Sequence, residues 1–142
     1  MDRITILMKQ MKEKLDSELE NTEVRLAHSS EPSSLAPLTP VIVIEQGAVT
    51  VRRNALGDYL SGGLGKRVKA AIKFTIIVPA SSGVETCTEL FSGLCRSLLF
   101  DPDFGMISMT AASVQANAQK RAYELSATGI LEYNMLKKEE ER

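Results

Sequence analysis

The chain contains no tryptophan, one histidine and two cysteines, and aromatic residues make up only 5% of its 142 positions. Each shortage excludes something. With so few rings there is no stacking platform for single-stranded nucleic acid, where successive bases lie on aromatic faces. The one imidazole, His28, sits in a polar turn region. It has no Cys/His cluster for a metal and no orienting partner for general-base work, so it reads as an exposed loop histidine. Cys87 and Cys95 lie eight residues apart in one helical pattern, about 12 Å along the axis. A disulfide needs Cα atoms within roughly 7 Å, so two buried, unbridged thiols are expected, which suits a reducing compartment. No apolar run approaches the roughly 20 residues of a bilayer span, so no membrane partner is expected. The opening MDRITILMKQMKEK interleaves charges with Ile, Leu and Met, unlike a signal peptide. No nucleophile stands with a base, so the chain is expected not to be an enzyme and to need neither cofactor nor metal.

What is present is ordinary in amount and uneven in placement. Hydrophobic residues are 44% and charged residues 25% of the chain, as in a soluble globular domain, and the length suits a single domain over 1–142. The net charge is -1. Arg52 to Lys73, RRNALGDYLSGGLGKRVKAAIK, nevertheless holds six of the 17 basic residues and one acid, Asp58, leaving 11 basic and 17 acidic residues elsewhere. This positive, glycine-rich island is not a phosphate loop. The GxxxxGK spacing would need glycine where Leu60 stands, Arg67 occupies the place of the magnesium-binding Ser or Thr, and a strand follows instead of a helix.

Ile4, Leu7, Met8, Met11, Leu15 and Leu19 recur in steps of three and four, predicting an amphipathic helix from Asp2 to about Glu20. Glu23 to Ala27 reads as a small strand, and Ser29 to Pro40, with three prolines and four serines, as a surface connection. Val41 to Ile44 is a β-branched run expected to be buried on both faces; Gln46-Gly47 interrupts it, and Val49 and Val51 continue in alternation to Arg52. Beyond the island, Val68, Ala70, Ile72, Phe74, Ile76 and Val78 line one strand face and Lys69, Lys73 and Thr75 the other, ending at Pro79. The two strands flank a loop far longer than the usual two to five residues, so they form an extended hairpin whose flexible tip covers about 53–67.

Ser82 followed by Glu85 predicts a capping box opening a second helix, with Val84, Cys87, Leu90, Phe91, Leu94, Cys95, Leu98 and Leu99 at helical spacing and an end at Asp101-Pro102. Met106 to Gln119 reads as a strand with a phase fault at Ala111-Ala112, the mark of a β-bulge. Tyr123, Leu125, Ala127, Leu131 and Tyr133 alternate with Glu124, Ser126, Thr128 and Glu132, while Ile130 falls on the polar face. Ile130 is there either as a tolerated exposed residue or to face a neighbouring subunit. A charged tail covers about 136–142, with Glu139 to Glu141 as a solvated end. Strands group instead of alternating with helices. The fold class is therefore α+β: a mainly antiparallel sheet of four to five strands with a long central hairpin and two helices packed on one face.

This order resembles the tail terminator, or tail completion, proteins of long-tailed bacteriophages and phage-tail-like particles. The matching stretches are ITILMKQMKEKL, PVIVIEQGAVTV, VKAAIKFTIIVPASSGVETCTELFSGLCRSLLF, and the pair around ISMTAASV and RAYELSATGILEY. The resemblance covers nearly the whole chain and rests on element order. It implies a structural virion protein that forms a ring, a hexamer of itself, capping the head-proximal end of the tail tube. That ring ends tube polymerisation and joins the tail to the neck. Its implied partners are the tail tube protein and a neck or connector protein, with DNA passing through the lumen without sequence specificity. Assembly would take place in the host cytoplasm and the product would reside at the tail–neck junction. On this reading the interface residues are Arg52, Arg53, Asn54, Asp58, Tyr59, Lys66 and Arg67 at the hairpin tip, with Ile130. Two alternatives stand beside it: a head–tail connector of the neck, and a small nucleic-acid-binding regulatory domain using the basic arm, whose binding would weaken steeply with salt.

Overall fold

The computed structural model describes residues 2–27, 38–53 and 65–136. Asn54, Asp58, Tyr59, His28, most of the Ser29–Pro40 connection and the Glu139–Glu141 cluster lie outside the described residues. The fold is α+β, with two helices and a six-stranded, mostly antiparallel sheet among the described residues. In chain order these are α1 (Arg3–Glu18), β1 (Glu23–Leu26), β2 (Val41–Arg53), β3 (Gly65–Pro79), α2 (Glu85–Leu99), β4 (Met106–Ala111), β5 (Gln115–Asn117) and β6 (Ala122–Leu136). The sheet runs β1-β2-β3-β6-β4, with β5 also paired to β6. Only the β1–β2 pair is parallel; β2–β3, β3–β6, β4–β6 and β5–β6 are antiparallel.

The strand count exceeds the expected four to five because the stretch from Met106 does not run through to Gln119. It leaves the ladder after Ala111 and re-enters as β5 at Gln115. Ala111 lies opposite Ala127 and Gln115 opposite Glu124, four steps on one strand against three on the other. The phase fault read at Ala111-Ala112 is thus real, but it breaks the strand in two. A separate bulge lies at Ile107, between the Met106–Leu131 and Ser108–Ile130 pairs.

The period-2 pattern of β3 sets the core. Val68, Ala70, Ile72, Phe74, Ile76 and Val78 are all buried on the face toward the helices, with Ile42 and Ile44 of β2 and Leu125, Ala127 and Leu131 of β6 beside them. Val41, Ile42 and Ile44 are buried, so the run is buried on both faces as expected except at Val43, which lies half-buried on the face opposite the core. The α1 stripe Ile4, Leu7, Met8, Met11 and Leu15 is buried against this core. Asp2 caps α1, accepting the Thr5 N–H at 2.8 Å.

The second helix starts differently from the sequence expectation. Ala80–Ser82 forms a 3₁₀ turn, and Gly83 at φ 89° follows it. That detour moves Ser82 off the cap position, which Val84 occupies with no side-chain cap bond. The Ser82–Glu85 capping box therefore does not form, and Glu85 is simply an acid in the first turn. Cys87 is buried and Cys95 half-buried, both unbridged, and burial pushes both thiols above their ordinary range.

Polar contacts clamp the two helices together. Ser97 of α2 donates to Glu18 Oε2 at 2.8 Å, and Lys14 Nζ lies 2.8 Å from Oδ2 of Asp101, two residues past the end of α2. At the other end of α1, the Arg3 guanidinium sits 4.9 Å from the centroid of the Tyr133 ring.

Candidate functional site

The candidate site is the outer half of the β2–β3 hairpin together with the end of β6. Its geometry begins at Gly47. The ladder pairs Gln46 with Ile72 and then Val49 with Ala70, so Gly47 and Ala48 stand opposite the single residue Ala71. A Cβ on Gly47 would lie 3.0 Å from the Ala71 carbonyl oxygen and 3.2 Å from its Cβ, which explains glycine at this close approach. The bulge also reverses the alternation of β2. Ile42 and Ile44 face the core before it, and Val49 and Val51 take the core side after it. Their ladder partners Ala70 and Val68 are fully buried, yet Val49 remains 38% and Val51 51% exposed at the sheet margin.

The same register sets like charges opposite each other. Arg52 pairs with Arg67, and Arg53 with Lys66. Directly opposed like charges destabilise a ladder unless something offsets them. For Arg67 the offset comes from β6: its Nε donates to Glu132 Oε1 at 2.8 Å and its Nη1 to Asn134 Oδ1 at 3.3 Å. Further along the same face, Lys69 lies opposite Glu132 and Lys73 opposite Glu45. Within the island Arg67 thus has a close acid partner, while Lys69 and Lys73 share a face with Glu132 and Glu45. Arg52 is exposed on this face.

Arg67, Ile130 and Glu132 share the sheet face turned away from the helices. Ile130 sits half-buried between Ala71 of β3 and Ser108 of β4 in the ladder. It is a packed member of that face, flanked by small and hydroxyl-bearing neighbours. Of the residues singled out from the sequence, Arg52, Arg53, Lys66 and Arg67 are brought together at one end of the hairpin. Ile130 lies further down the same sheet, and Asn54, Asp58 and Tyr59 fall outside the described residues.

Sequence reasoning missed Glu132 and Asn134 as the acceptors that hold Arg67. Their alternation with Ile130 put all three on one face, but the β3–β6 register that brings them to Arg67 has no local signal. It also missed the outer margin of β4. There Ile107 is 56% exposed at its bulge, and Asp103 is exposed in the turn leading into the strand. No group of three or more His, Cys, Asp or Glu side chains converges among the described residues.

Fold and site together define a small α+β protein with an extended hairpin, helices on one sheet face and a mixed-charge face on the other. No protein-family model matches the chain, and no curated protein matches it.

Proposed function

We propose that this protein is a ring-forming structural subunit that caps the head-proximal end of a phage or phage-derived tail tube. In that role it ends tube polymerisation and joins the tail to the neck. The observation that carries the reading is the bare face of the sheet. Apart from the outer end of β2, the long strands bury one face toward α1 and α2 and leave the other without a covering helix among the described residues, lined by Arg67, Lys69, Lys73, Glu132, Thr75, Ser126 and Thr128 with the half-buried Val43, Ile77 and Ile130 among them. A mixed-charge, hydroxyl-rich face on a rigid sheet suits a repeated subunit whose uncovered surfaces are completed by assembly, and rotationally related copies close such contacts into a ring. The element order supports the same reading through its resemblance to tail terminators. The pairing of Arg67 with Glu132, and the placement of Lys69 and Lys73 opposite acids, favour protein contacts and non-specific passage of DNA over a dedicated phosphate-binding arm.

The test is capping. Purified protein is added to polymerising tail-tube subunits of its own particle, and tube lengths are measured in electron micrographs. Tubes are expected to shorten as protein is added, with density at one end only. Unchanged lengths and bare ends contradict the proposal.

A further inference from the structure

Both lateral margins of the sheet are open among the described residues. On one side, β1 covers β2 only from Val41 to Ile44, and the last bond is from the Ala27 N–H to the Ile44 carbonyl. From Glu45 to Arg53 no described strand pairs with that side of β2. This is nine residues, or about 30 Å at the usual strand rise. On the other side, β4 ends the strand order, six residues long, with its outer edge uncovered by any described strand. Exposed strand edges template further pairing, and proteins normally blunt or cover them. Between Gln46 and Val51, and along all of β4, neither margin carries a charge. Val49 and Val51 stand exposed at one, and Ile107 at the other.

We infer that, in the ring proposed above, the Glu45–Arg53 edge of β2 pairs with the β4 edge of a second copy of this chain. The inference rests on that ring reading and names its interface. Strand direction supports it. β6 runs with β2, and β4 runs against β6, so the two open edges are antiparallel in subunits related by a ring axis. Antiparallel addition is the more stable kind. Charge supports it as well. Setting Val49 opposite Ile107 carries the end of β2 past the start of β4, with Arg52 opposite Phe104 and one residue from the exposed Asp103, so a cation is brought near a carboxylate. The same register sets the exposed Val49 and Ile107 against each other. Pairing β2 with β2 about a two-fold axis would leave β4 uncovered, whereas heterologous pairing covers both edges with one kind of contact.

Charge reversal tests the pairing. Arg52→Glu and Asp103→Arg each place like charges together, and each is expected to weaken assembly at least tenfold in sedimentation velocity, with circular dichroism unchanged. Mixing the two variants in equal amounts restores both contacts in alternation, and the Arg52→Glu/Asp103→Arg double variant restores them within one chain. Recovery of wild-type assembly in both cases is the expected result. If wild type assembles but the single variants match it, or weakened variants are not rescued by mixing, the edge pairing is wrong and the ring reading stands. A wild type that stays monomeric removes the ring reading and this interface with it.

Discussion

Gly105 is the residue through which the turn before β4 is locked to the site, and replacing it with alanine should be costly. It sits at φ 63°, ψ 22°, the left-handed region, where a Cβ costs roughly 1 kcal/mol. A Cβ built there would also lie 2.6 Å from the Glu132 carbonyl oxygen, a backbone atom in the central ladder that has no side-chain rotamer with which to escape. Forcing a methyl group into a packed site costs about 1–3 kcal/mol. The two terms together put Gly105→Ala at about 2–4 kcal/mol. The clash pushes on the bond from the Glu132 N–H to the Gly105 carbonyl, 3.1 Å long, and so on the residue that holds Arg67. Urea unfolding followed by circular dichroism should show the midpoint falling by about 1–2 M for a slope near 2 kcal/mol/M. Gly93→Ala is the comparison. There the new Cβ meets only Leu19 Cδ2, the far end of a flexible side chain, and alanine gains up to about 1 kcal/mol of helix propensity. That variant should stay within about 1 kcal/mol of wild type. If Gly105→Ala is as stable as Gly93→Ala, the backbone clash is not what fixes glycine at this turn.

Three further outcomes follow from the contacts described. A double-mutant cycle on Arg67→Ala and Glu132→Ala should give a coupling of about 0.5–1 kcal/mol, because the pair is partly exposed, and it should shrink with added salt; zero coupling at low salt would refute the pairing. Asp2→Ala should cost about 1 kcal/mol through loss of the α1 cap, while Glu85→Ala should change stability by less than about 0.5 kcal/mol; an equal cost for both would revive the capping box at α2. The Lys14 ammonium, hydrogen-bonded to Asp101, and then the Asp103 amide hold the Asp101 carboxyl below its ordinary range, and the Asp101 hydrogen bond raises Lys14. The Asp101 contribution is therefore full above the ordinary value of about 3.9 and is lost as pH falls through the lowered folded value. The Lys14 contribution is full below about 10.4 and lost as pH rises through its raised value. The stability gap between wild type and Asp101→Asn should be flat from about pH 5 to 9 and close in acid; a gap that closes near neutrality would contradict the assignment.

The core of this fold was legible because it depends on local periodicity. The six alternate residues from Val68 to Val78 and the stripe from Ile4 to Leu15 are buried as their spacing requires. What failed at α2 was also local. Ser82 and Glu85 fit a capping pattern, but Gly83 at positive φ turns the chain between them, and the competing 3₁₀ turn wins. The site was half legible. Charge counting found Arg52 to Lys73 as a positive island and could not see that β6 supplies Glu132 and Asn134 to Arg67, or that Glu45 stands opposite Lys73. Those neighbours are set by register between strands about 65 residues apart in the chain, and that distance appears in no window of sequence. The interruption at Gln46-Gly47 was legible, but that it is a bulge placing Val49 and Val51 on the core side at an open margin depends on the β2–β3 register.

The ring is the central claim, and the mass of the protein in solution tests it most directly. Light scattering coupled to size exclusion, with negative-stain averages of the same peak, should give a closed assembly with rotational symmetry and a central opening, at a multiple of 15.5 kDa expected to be six. A single species at 15.5 kDa across the accessible concentration range, with no ring in the averages, would contradict the account.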